Sequence, residues 1–142
     1  MLYEQSGDLK AAKDAYERAL ARYSEFTPAK RNLAILYSSH PEDDKKALEL
    51  ATKARETYPN DDAVAKALGI ISSRNGNYTR AASLLEESAR TRITDAEVQF
   101  YLGMAQHQLK KQPASTRSLQ KALELGLSDK LAADARRVLA AK

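Results

Sequence analysis

The residues that could perform acid–base, nucleophilic or metal chemistry are few and scattered along this sequence. There is no cysteine, and neither His40 nor His107 has a second histidine at metal-ligand spacing. The adjacent carboxylates Asp43-Asp44 and Glu86-Glu87 would point apart on a helix, so their spacing does not make an acid–base pair. The sequence therefore predicts no metal site and no cofactor.

Nucleophilic catalysis has no better support. Serines occur at positions 38, 39, 72 and 73 without a recognisable base, and the chain contains neither a glycine-rich phosphate loop nor a nucleophile elbow. A catalytic site requires groups that converge in one pocket. We therefore predict that this chain is not an enzyme.

Composition narrows the class of protein and of partner. Of 142 residues, 43% are apolar and 30% are charged, and the net charge is +4. No run of about 18 apolar residues appears, so no membrane insertion is expected. The cations are interspersed with acids, which argues against a nucleic-acid partner. A soluble protein without cysteine suits either the cytoplasm or the bacterial periplasm, so the compartment stays open. Because the sequence itself contains no signal peptide, we expect either a cytosolic protein or one whose leader was removed.

A repeated pattern stands out against this background. Leu68-Gly69 recurs 34 residues later as Leu102-Gly103, and Leu85 recurs as Leu119. Leu33 precedes Leu68 by 35 residues, which places a one-residue insertion in the polar stretch 38–44. A fixed period of this length indicates a repeat architecture in which each unit packs against the next.

The units are built from helices. Apolar residues follow one another at intervals of three and four, as in Leu9, Ala12, Tyr16 and Ala19. Thr27-Pro28, Asn60-Asp61-Asp62, Thr94-Asp95 and Ser128-Asp129 are suited to begin helices, and Gly126 to end one. The pattern predicts a short helical segment at 1–6 and helices at 8–23, 28–39, 42–58, 61–75, 77–92, 95–109, 112–126 and 128–141.

These units resemble tetratricopeptide repeats, a family of 34-residue helix–turn–helix units. The resemblance is carried in the second unit by Leu33, Ala34, Tyr37, Ala47, Ala51, Ala54 and Pro59, in the third by Leu68, Gly69, Ala81, Leu85 and Ser88, and in the fourth by Leu102, Gly103, Ser115, Leu119 and Ala122. It implies an all-α, right-handed α-solenoid of antiparallel helix pairs. The expected organisation is one domain over 1–142, with a truncated first repeat at 1–26, full repeats at 27–60, 61–94 and 95–127, and a capping helix at 128–142.

The first repeat lacks most of its leading helix, since only residues 1–6 remain of it. We therefore expect Ala12, Tyr16 and Leu20 to be partly uncovered. Two explanations remain open. The chain is a piece of a longer repeat protein, or its N-terminal edge associates with another copy.

In this family the leading helices line a concave groove that binds partners. Carried over by register, the partner-binding positions are Arg31, Asn32, Ile35, Lys66, Ile70, Arg74, Phe100, Met104 and His107. The homologous Ile35, Ile70 and Met104 form an apolar row beside cations, which suits an acidic, amphipathic protein segment or peptide. The same three residues could instead pack between leading helices. The carboxylate clamp that some members use on chaperone tails is not reproduced here.

The resemblance implies a protein–protein interaction scaffold that binds a peptide or protein segment in this groove. One alternative is a structural segment of a longer array, or a self-associating module that acts through its edges. Another is an adaptor beside an enzyme in a longer chain. The composition, rich in Ala, Leu, Glu and Lys, is similar to that of bacterial repeat proteins.

Overall fold

The described part of the chain is entirely helical. The computed structural model describes residues 9–23, 26–39 and 44–141, and in these ranges it contains helices and turns but no strand. The helices are α1 (Leu9–Arg22), α2 (Thr27–Ser39), α3 (Asp44–Thr57), α4 (Asp62–Arg74), α5 (Tyr78–Ala89), α6 (Ala96–Gln108), α7 (Ala114–Leu125) and α8 (Asp129–Ala140). Each predicted helix is present, with boundaries within three residues. The predictions for residues 1–6 and for most of the insertion lie outside the described residues.

The helices pack in successive pairs. Helices α2 and α3, α4 and α5, and α6 and α7 form the tightest contacts, and each pair packs on the next. The leading helices α2, α4, α6 and α8 also contact one another in that order. This arrangement confirms the prediction of an all-α solenoid of helix pairs.

Small residues allow the two helices of a pair to approach closely. A methyl group built on Gly69 would lie 2.8 Å from Cγ of Leu85, and one built on Gly103 would lie 2.7 Å from Cγ of Leu119. In the fourth unit, the buried Ser115 hydroxyl donates a hydrogen bond of 2.8 Å to the carbonyl oxygen of Gly103. The spacing of Gly and Leu in the sequence thus reflects the close approach of the two helices in a pair, which leaves no room for a larger side chain at the glycine.

The N-terminal edge is better covered than expected. Ala12 and Tyr16 are only 2% and 6% exposed, because both pack in a buried cluster with Leu33 and Tyr37 of α2. Only Leu20 is half-buried. The expectation that all three would be partly uncovered is therefore wrong for Ala12 and Tyr16.

Three predicted helix starts are confirmed by side-chain caps. Asp61 accepts hydrogen bonds from the backbone N–H groups of Ala63 and Val64, and Asp95 accepts one from Val98. Ser128 accepts a bond from Leu131 N–H at 3.4 Å. These residues recur at intervals of 34 and 33, so α8 occupies the place of a fourth leading helix.

Helix α8 differs from α4 and α6 at one position. Its Ala132 and Ala135 are buried, and Ala135 packs with Phe100 and Leu119 of the preceding unit. Counted from the caps, however, the position held by Gly69 and Gly103 is Arg136, which is exposed. The outer face of α8 is therefore polar, as expected for a capping helix.

Candidate binding groove

A groove of about 530 Å³ runs across the leading helices. Its walls come from the C-terminal ends of α2 and α4, the start of α5, one face of α6 and the first half of α8. The lining residues are Ser38, Ser39, Ser73, Arg74, Tyr78, Glu97, Phe100, Tyr101, Met104, Gln108, Ser128, Lys130, Leu131 and Asp134. The groove is thus built by four consecutive leading helices together with the start of α5.

The floor of the groove is apolar and aromatic. Phe100 is 3% exposed and packs with Leu119 and Ala135, so it supports the floor more than it presents a surface. The ring of Tyr101 meets Phe100 edge-on, with centroids 5.0 Å apart at 82°. Tyr101, Met104 and Leu131 are half-buried. These three side chains supply the apolar surface that a ligand could reach.

Three of the nine sequence-predicted binding residues line this groove, namely Arg74, Phe100 and Met104. The other six lie outside its lining: Arg31, Asn32, Ile35, Lys66, Ile70 and His107. Ile70 is 3% exposed and packs with Val98 and Leu102, which matches the alternative that this row fills the space between leading helices. Ile35 and His107 are half-buried.

Two of the predicted cations are held by carboxylates of the following unit. Arg31 donates from Nε to Oδ2 of Asp61 at 2.6 Å. Lys66 donates from Nζ to Oδ2 of Asp95 at 2.9 Å and to Oε1 of Glu97 at 3.1 Å. Both aspartates are helix caps, so each one joins two units while it caps its own helix.

Burial raises the pKa of both cap carboxyls, but their bonds to Arg31 and Lys66 and to backbone N–H groups outweigh it. The pKa of Asp61 and that of Asp95 therefore lie below the usual value.

The third predicted cation closes the end of α2. Arg74 bonds through Nε to Oδ1 of Asp44 at 3.0 Å. Its two terminal nitrogens donate to the carbonyl oxygens of Ser38 and Tyr37, both at 2.7 Å. Because the last carbonyls of a helix lack partners within it, Arg74 completes α2 while it also borders the groove.

The contact between α6 and α8 lacks the ion pair between a cation and a cap aspartate that joins the preceding leading helices. The position of Arg31 and Lys66 is occupied by Phe100, and the position of Asp61 and Asp95 by Ser128. Packing between Phe100 and Ala135 replaces the ion pair there. The groove is therefore most apolar at the contact between α6 and α8.

Two carboxylates stand near the aromatic floor. Glu97 belongs to α6, one turn before Tyr101, and Asp134 belongs to α8; their side chains are 49% and 30% exposed. Burial raises the pKa of the Tyr101 hydroxyl, Glu97 and Asp134 raise it further, and Arg74 opposes them. The surroundings of Tyr101 thus disfavour negative charge.

Sequence reasoning missed the contribution of α8 to this groove. Ser128, Lys130, Leu131 and Asp134 line it, although α8 was predicted only to cap the array. The signal was present in the cap spacing, since Ser128 follows Asp95 by 33 residues. That interval places α8 in the row of leading helices.

The described residues also bear on other classes of function. Within 9–23, 26–39 and 44–141, no group of three or more His, Cys, Asp or Glu could hold a metal ion. No helix in these ranges is long and apolar enough to cross a membrane.

Comparison with known proteins identifies the fold. Among solved structures, the chain is similar to YrrB, described as a tetratricopeptide-repeat protein with an unusual peptide-binding site. The TM-score is 0.74 and the identity 22%, over 95% of this chain and 69% of that one.

It is also similar to structures of MamA. One, named with MSR-1, has a TM-score of 0.69 and 20% identity over 87% of this chain and 70% of that one. Another has a TM-score of 0.70 and 14% identity over 97% and 88%. No family model and no curated protein sequence matches the chain. The likeness to solved structures therefore establishes the fold, which is that of tetratricopeptide repeats.

Proposed function

We propose that this tetratricopeptide-repeat solenoid is a protein–protein interaction scaffold that binds a peptide or protein segment in its groove. The observation that carries the proposal is the reachable apolar strip of Tyr101, Met104 and Leu131 between walls from α6 and α8. An extended or helical segment with apolar anchors can fill such a strip. The similar fold of YrrB, a protein described by its peptide-binding site, supports the same function here.

The partner is expected to be amphipathic, because polar side chains border the strip on both sides. The sequence also suggested an acidic partner, and that suggestion depends on Arg31, Lys66 and Arg74. All three are engaged by Asp61, by Asp95 and Glu97, and by Asp44. The charge of the partner therefore has to be argued from other groups.

The proposal is tested by filling the groove with a neutral side chain. Ser73 is half-buried and lines the groove, so Ser73→Trp places an indole in the space that a ligand would use. Ser83→Trp, on the exposed face of α5, is the matched control. The assay is capture of partners from a native lysate, followed by titration calorimetry with the purified partner.

Loss of binding in Ser73→Trp, with binding kept in Ser83→Trp, supports the groove as the functional surface. Equal affinity for both variants, with helical circular dichroism unchanged, contradicts it. An Ile70→Asp variant would not test the groove, because Ile70 is buried and an unpaired carboxylate there would unfold the chain.

Self-association through the N-terminal edge is the alternative. It was suggested by the expected exposure of Ala12, Tyr16 and Leu20, of which the first two are buried and Leu20 is half-buried. The exposed Tyr23 and Phe26 lie in the connection between α1 and α2. A concentration-independent mass in light scattering would agree with the scaffold proposal.

A further inference from the structure

The contact between α6 and α8 lacks the cation that the two preceding contacts contain. Arg31 and Lys66 each place a positive charge beside the cap of the next leading helix, whereas Phe100 takes that position in α6. Its buried ring leaves this part of the groove with an apolar floor and no cation of its own from α6.

The carboxylates at this contact are incompletely neutralised. Glu97 shares Lys66 with Asp95, which is the closer of the two acceptors at 2.9 Å against 3.1 Å. Asp134 is paired within its own helix to Arg137, whose side chain is 70% exposed, so that pair is weak. Glu97 of α6 and Asp134 of α8 both line the groove together with the half-buried Tyr101.

The cations of the lining do not reverse this balance. Arg74 is 18% exposed, and it is engaged by Asp44 and by two backbone carbonyls. Lys130 is exposed in the first turn of α8, where its long side chain can extend into water. Burial is the largest cause of the raised pKa of Tyr101, and Glu97 and Asp134 raise it further while Arg74 lowers it.

We propose that the groove selects a segment carrying a lysine or arginine, whose charged group binds over the Tyr101 ring between Glu97 and Asp134. An aromatic face and two carboxylates together favour a cation. Met104 and Leu131 then accept the apolar neighbours of that residue. This inference rests on the proposed function, since it specifies which segment the same groove binds.

The first experiment does not require the natural partner to be identified. A phage-displayed library of random dodecapeptides is selected on the wild-type chain and depleted on Ser73→Trp, so that only groove-dependent peptides remain. We expect these peptides to share a basic residue beside an apolar one. The best of them is then synthesised with that basic residue unchanged, replaced by glutamine or replaced by glutamate, and its affinity is measured by fluorescence anisotropy.

Protein variants then locate the charge preference. Glu97→Gln combined with Asp134→Asn is expected to weaken the basic peptide about tenfold, since each partly exposed pair contributes a few-fold. Glu86→Gln with Glu124→Gln, two exposed acids on trailing helices, is the matched control and should change affinity less than about twofold. Glu97→Lys combined with Asp134→Lys should reverse the preference towards glutamate.

The outcomes separate the two proposals. Groove-dependent peptides enriched in acidic residues, or indifferent to charge, overturn the basic-segment inference and leave the scaffold function standing. Absence of any groove-dependent peptide overturns both. Circular dichroism and urea unfolding of each variant verify that a loss of binding does not come from unfolding.

Discussion

Asp95 is the residue whose removal tests the coupling between repeats most directly. Its Oδ1 caps α6 by accepting from Val98 N–H, and its Oδ2 accepts from Lys66 at 2.9 Å and from Arg92 at 3.3 Å. One carboxylate therefore stabilises its own helix and ties α6 to α4. Asp95→Asn retains an oxygen that can cap and removes the charge, whereas Asp95→Ala removes both.

The expected losses differ between these two variants. A cap of this kind contributes about 1 kcal/mol to the free energy of unfolding. The Lys66 and Asp95 side chains are 20% and 16% exposed, so solvent screens their pair only in part and a contribution of about 1 kcal/mol is reasonable. Lys66 keeps Glu97 as a second partner, which limits the loss. We expect about 1 kcal/mol from Asp95→Asn and about 2 to 3 kcal/mol from Asp95→Ala.

Urea unfolding at 25 °C, followed by circular dichroism, measures both values. A double-mutant cycle with Lys66→Met isolates the pair, and its coupling energy should be about 1 kcal/mol and should decrease in high salt. Asp129→Asn is the control, because Asp129 is an exposed aspartate at the start of α8. It should cost at most about 0.5 kcal/mol.

A cycle without coupling, or an Asp95→Asn variant as stable as the wild type beside a destabilised Asp95→Ala, would contradict a role for the ion pair. In that case the carboxylate would act only as a cap, and the contact between units would depend on apolar packing alone.

Two further predictions concern the packing and the pH dependence of the fold. Gly103→Ala should cost about 1 to 3 kcal/mol in thermal unfolding, because the new methyl group would lie 3.1 Å from the backbone nitrogen of Leu119 as well as 2.7 Å from its Cγ; an unchanged midpoint would contradict the close approach. The pKa values of Asp61, Asp95 and Glu87 are lowered in the fold, the last chiefly by its bonds to Arg55. Their contribution is therefore present above about pH 4 and is lost as the pH falls through the folded values. The urea midpoint should decrease between pH 5 and pH 3, with a shallower slope in Asp95→Asn, and a parallel slope would refute the assignment.

The sequence predicts the fold well because the repeat encodes local and steric requirements. Gly69 and Gly103 are read correctly as points of close approach, and Asp61, Asp95 and Ser128 as helix caps. Such features depend on neighbouring residues or on the next helix of the same pair. They can be recognised from spacing alone.

The groove was predicted less completely, for two physical reasons. Register identifies which helix face points inward, but it does not tell how far a side chain is covered by the next leading helix; Ile70 and Phe100 are buried for that reason. Register also does not show which group of the protein a charged side chain contacts. Arg74 reads as a free groove cation, yet it closes the end of α2, about 35 residues earlier in the sequence.

The distribution of charge explains why one contact in the array is suited to binding. Where a leading helix carries Arg31 or Lys66, that cation forms an ion pair with the cap aspartate of the next unit. The charged groups at that contact are therefore already paired within the chain. Where Phe100 replaces the cation and Ser128 replaces the acid, nothing charged joins the two helices at those positions, and the floor is left apolar. A partner bound there can contact Tyr101, Met104 and Leu131 directly, and its basic group would share Glu97 with Lys66 and Asp134 with Arg137. Phe100, which takes the place of the cation in the earlier repeats, therefore ends the series of ion pairs and also provides the apolar surface that an external segment can use.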